Sequence, residues 1–136
     1  MLSAAAVLVC ALELLGRPAT SFAPIVLIDA RPSDVSSTAE AFVRRDPDTI
    51  YVLTDTPVFR AAQSAGREAL LKVASILVHE QWHILNGTDE EGAYQAQLMS
   101  LYMMGVPYNR PIAAQVRKAM FVVVKARKRE QQSLAR

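Results

Sequence analysis

The stretch ALLKVASILVHEQWHIL, residues 69–85, constrains the fold of this chain more than any other part of its sequence. It contains no Gly or Pro, and its apolar residues fall on nearly every side of a 3.6-residue helix instead of in one stripe. A helix of that kind cannot lie on a surface, because neighbours must cover most of its faces. The polar exceptions are Lys72, Ser75, His79, Glu80, Gln81 and His83. His79 and His83 are the only histidines in the chain, and helical spacing stacks them one turn apart with Glu80 beside them. They could be hydrogen-bonded core residues, with Glu80 paired to a base. Two imidazoles and a carboxylate are nevertheless costly to bury unless something binds them, and H-E-x-x-H is the spacing of a metal site.

The remaining elements follow from shorter signals. MLSAAAVLVCALELLG reads as a buried first helix stopped by Gly16 and Pro18. Its apolar run ends at Glu13, too short to span a bilayer, and no Lys or Arg precedes it as in a signal peptide, although an atypical secretion signal is the alternative. IVLID (25–29) and IYVL (50–53) are β-branched apolar runs and read as strands. Between them, Ser37 and Glu40 have capping-box spacing, which predicts a short helix through Arg44. Thr56-Pro57 opens a brief helical turn, and Asn86-Gly87 ends the central helix. A following helix runs from Asp89 to about Met104 with Thr88 as its cap. A last one, opened by Asn109 and Pro111, carries Ile112, Val116, Met120, Val123 and Val124 on one stripe. The expected fold is α+β, mostly helical, with a small sheet beside the central helix, in one domain spanning 1–136.

Charge is unevenly spread. Residues 110–136 carry eight Lys/Arg against Glu130 alone, a net of +7 that leaves −5 for residues 1–109. Such a segment can bind nucleic acid or anionic lipid, but it more often forms a solvated helix end, and a nucleic-acid partner is not expected. The lone Cys10 excludes a disulfide framework within the chain and suits a reducing cytoplasm, where the protein is expected.

Zinc takes imidazole and carboxylate ligands tetrahedrally and, in catalytic sites, keeps one position open. His79 and His83 can converge on one ion, while Glu80 takes the proton from the attacking water. A third ligand is needed, and a tight reversal at Asn86-Gly87 brings Glu90 and Glu91 opposite His83. Thr88-Asp89-Glu90-Glu91 reads as a capping box that occupies Glu91 and leaves Glu90 to ligate, although either glutamate can reach. Trp82 is expected on the far side of the helix, and Gln95 and Gln97 either line the cleft or face solvent.

HEQWH followed by Glu90-Glu91-Gly92-Ala93-Tyr94 resembles the gluzincin group of zincin metallopeptidases, over residues 69–104, about a quarter of the chain. The resemblance implies a zinc-dependent peptidase acting on a peptide or protein, with His79, His83 and Glu90 as metal ligands and Glu80 as general base. It also implies a strand beside the site that pairs with extended substrate, for which IYVL is the candidate. Two features depart from the pattern: the gap between motifs is only six residues, and Tyr94 stands where many relatives carry an acidic residue that orients a ligand histidine. Tyr94 either supports the reaction by hydrogen bonding or simply packs. The rival reading is a zinc-binding interaction or regulatory module without proteolysis.

Overall fold

The computed structural model describes residues 1–135. Helix α1 spans Ala4–Leu15, with Ser3 Oγ accepting from the Ala6 amide and Gly16 closing it in the left-handed region at φ 65°. Strands β1 (Ile25–Ile28), β2 (Ala41–Arg44) and β3 (Thr49–Leu53) form one mixed sheet in the order β1-β3-β2. β1 runs parallel to β3 and β2 antiparallel to it. Helices α2 (Pro57–Gln63), α3 (Arg67–Asn86), α4 (Glu90–Met103) and α5 (Pro111–Leu134) follow, so the chain is α+β and mostly helical. Thr56 caps α2 with Pro57 in its first turn, as the sequence suggested.

The expectation of a central helix holds. α3 packs against α1, α2, α4 and the sheet, and it separates two apolar clusters. Val73, Ala74 and Leu77 join Val7, Ala11, Ile50 and Phe59 on one side, while Leu71 joins Leu98, Leu101, Ile112 and Val116 on the other. Burial on both flanks is what an apolar surface on nearly every face requires.

Two sequence expectations fail here. No helix forms over residues 37–44, because residues 41–44 are strand β2. Ala41 and Phe42 register against Val52 and Tyr51, and the Phe42 and Tyr51 rings stack 5.1 Å apart. Those cross-strand contacts outweigh a local cap. Glu40 pairs with Lys72 of α3 at 3.4 Å. IYVL cannot receive a substrate strand either, since β3 is central and bonded on both edges. The strand with an open edge beside the site is β2.

Helix α4 starts one residue later than expected. Asp89, not Thr88, is its N-cap, and Asp89 Oδ1 accepts from the Glu91 amide at 3.1 Å. Glu91 does not close a capping box; its carboxylate takes a hydrogen bond from Arg127 of α5 at 2.7 Å. In α5 the apolar stripe is buried only in the first two turns, at Ile112, Ala113 and Val116. No helix among the described residues is long and apolar enough to cross a membrane.

Candidate metal centre

Because α3 is unbroken α-helix through residues 79–83, the i, i+4 spacing projects His79 and His83 together into a cleft of about 750 Å³. α3 forms its floor. The Glu40–Val43 segment, Glu90 and Tyr94 of α4, and Val116, Ala119 and Val123 of α5 also line the cleft. The reversal that returns α4 to this place depends on Gly87, whose φ of 95° is strained for any other residue and whose amide caps the His83 carbonyl at 2.9 Å. Arg45, from the β2–β3 turn, secures the same helix end by donating to the carbonyls of His83 (2.8 Å) and Ile84 (3.0 Å). Nothing in the sequence pattern singled out Arg45.

One donor atom each from His79, His83 and Glu90 lies within 4.8 Å of the other two. Glu90 Oε2 is 3.6 Å from His79 Nε2, and its Oε1 contacts His83 Nε2 directly. Ligands about 2.0–2.1 Å from one tetrahedral ion lie roughly 3.3 Å apart, so small rotations bring these atoms to ligating geometry. The Nδ1 atoms are engaged elsewhere: His79 with Gln97 Oε1 at 2.9 Å and His83 with the Gly87 carbonyl at 2.7 Å. These three residues could therefore hold a metal ion. Glu91 turns away to Arg127, which also reaches Asp89 at 3.2 Å.

The charges are mutually adjusted. Hydrogen bonds from the imidazoles of His79 and His83 hold the Glu90 carboxyl at about 2, against some loss of solvation. Burial disfavours charge on His83, but its bonds to Glu90 and Gly87 and the nearby carboxylates more than offset this, so its pKa is raised. Glu80 is 7% exposed and lines the same cleft. Burial raises its pKa, with the imidazoles pulling the other way.

Tyr94 lies edge-on to His79 with ring centroids 4.6 Å apart, and burial raises its phenol pKa further above the neutral range. Trp82 is not on the far side. Its indole sits edge-on to His83, 5.8 Å between centroids, and packs on α4 at Gly92. Gln97 is buried at 4% exposure, whereas Gln95 faces solvent. The i, i+7 spacing from Glu90 to Gln97 was the available signal for a shared face.

No protein-family model matches the chain, and no similar protein was found among curated proteins or solved structures. The likeness to gluzincins accordingly stands on the H-E-x-x-H spacing and a downstream glutamate.

Proposed function

We propose that this chain is a zinc-dependent metallopeptidase whose metal ligands are His79, His83 and Glu90. The observation that carries the reading is the convergence of those three donors beside Glu80, a carboxyl on a nearly buried residue that lines the same cleft. A structural ion site needs no such group, whereas hydrolysis needs a base next to the metal. Zinc, when bound, supplies Lewis acidity toward a carbonyl oxygen and toward water.

The protein's own part is proton handling and orientation. Glu80, with its pKa raised toward the working pH, accepts the proton of the attacking water and returns it to the leaving amine. Tyr94 keeps its phenolic proton and supplies a hydrogen bond to negative charge developing on the substrate oxygen. The open edge of β2 offers backbone donors and acceptors to an extended peptide, and Ile76, Val116, Ala119 and Val123 give an apolar wall for one of its side chains.

The test is metal analysis of the purified protein, then peptide-library cleavage by wild type and Glu80→Gln. Wild type should cleave in a chelator-sensitive way. The variant should keep about one zinc and lose at least two to three orders of magnitude in rate, within the usual range for a general base. Zinc lost from Glu80→Gln would make Glu80 a ligand. Zinc held by a wild type that cleaves nothing would favour the binding-module reading.

A further inference from the structure

Behind His79 lies a chain of hydrogen bonds with a fixed direction. It begins at the backbone carbonyl of Lys72, which can only accept. Ser75 Oγ lies 2.7 Å from it and must spend its single proton there, which leaves the Ser75 oxygen as an acceptor. The Gln97 carboxamide approaches that oxygen at 3.1 Å and must present its NH2 group. Its Oε1 is thereby aimed at His79 Nδ1, 2.9 Å away, and a carboxamide oxygen can only accept. Ser75 is fully enclosed and Gln97 nearly so, so water cannot easily substitute for either.

We propose that Gln97 is the positioning residue of the metal centre: through the Lys72–Ser75–Gln97 chain it fixes His79 as the Nδ1–H tautomer and leaves the Nε2 lone pair for the ion. The inference rests on the metal-site reading, not on proteolysis. On α4, Gln97 is one turn beyond Tyr94 and offers a neutral acceptor. His83 is held in the same sense by the Gly87 carbonyl, so both imidazoles are backed by uncharged acceptors. Uncharged partners leave the ligands less basic than carboxylates would, which favours a more electrophilic, less tightly held ion.

Three variants test this: Gln97→Met, which keeps the length and removes the acceptor; Gln97→Glu, which restores a stronger one; and Ser75→Ala, which frees the carboxamide to turn over. The readouts are zinc affinity by chelator competition and the imidazole 15N shifts of zinc-free protein. Gln97→Met should weaken zinc binding about 10–100-fold, the usual effect of losing such a partner. Gln97→Glu should bind at least as tightly as wild type, Ser75→Ala should fall between, and wild-type His79 should carry a proton on Nδ1 whether or not Nε2 also donates to Glu90. Gln97→Met within twofold of wild type, or Gln97→Glu as weak as Gln97→Met, would overturn the proposal. If wild type binds no zinc, the metal-site reading fails by itself. The 15N shifts then judge the relay, which an unprotonated His79 Nδ1 in wild type would disprove.

Discussion

At the scale of single residues, adjacent carboxylates in one helical turn have been given different work. Glu90 faces the imidazoles, while Glu91, about 100° further round the axis, faces Arg127. Glu90→Ala is expected to abolish stoichiometric zinc binding. Glu91→Ala should retain the ion and lose no more than about 1 kcal/mol of stability, since its partner is solvent-exposed. Equilibrium dialysis and thermal melts of the two variants check this, and retention of zinc by Glu90→Ala would move the ligand role. The same residues set a pH dependence. Glu90, lowered to about 2, stabilises the metal-free fold above its unfolded pKa and loses that contribution as pH falls toward 2. His83 is raised, so its contribution is complete below its unfolded pKa and disappears as pH climbs through the folded one. The metal-free protein should therefore melt highest in the mildly acidic range, roughly pH 4.5–6.5. Zinc must displace the His83 proton, so its affinity should rise with pH by up to about tenfold per unit until that group is deprotonated. Titration calorimetry from pH 5.5 to 8 gives the slope, and a flat profile would remove His83 from the ligand set.

At the scale of elements, the site depends on how closely α3 and α4 approach, and Gly92 sets that distance. A Cβ at position 92 would overlap the Trp82 indole, so the helices meet there only because residue 92 has no side chain. Gly92→Ala should push back the first turn of α4, which carries Glu90, and weaken zinc binding at least tenfold despite the better helix propensity of alanine. Trimming the indole with Trp82→Leu in the same chain should recover part of the loss; if it recovers none, the helix contact is not the cause. Helix α3 was legible in the sequence because its signal is periodic over many residues and needs no knowledge of neighbours. The H-E-x-x-H face was legible for the same reason. Strand β2 was not, since AFVR is four residues long and its pairing with Tyr51 is a non-local contact, while the competing Ser37–Glu40 signal is local. The start of α4 slipped by one residue on similar grounds: Asp89 and Thr88 are both good caps, and only the turn at Gly87 decides between them. Gln97 shares a face with Glu90 by spacing, but its partners His79 and Ser75 belong to another helix.

At the scale of the whole molecule, an ion held by α3 and α4 would be a cross-link between the two apolar clusters. His79 and His83 belong to the helix that separates the clusters, and Glu90 to the helix whose Leu98 and Leu101 complete the second. The polar ties across the mouth of that joint are the Glu90–imidazole contacts, while Arg127 of α5, itself half-exposed, only braces the start of α4 through Asp89 and Glu91. α5 adds little beyond its first two turns, because its later residues are not buried. Metal binding should thus appear as folding stability. A ligand specific to the native state contributes about 4 kcal/mol at a free concentration a thousand times its Kd. In a chain of this size that corresponds to a rise in Tm of roughly 10–20 °C. Zinc-free protein should melt lower by about that amount, recover on zinc addition, and show no shift with zinc in His83→Ala. Hydrogen exchange places the effect: protection should increase first in the last two turns of α3 and the first two of α4, with the α1–sheet cluster changing least. A uniform gain across the chain, or an unchanged Tm, would mean that zinc does not join these two helices.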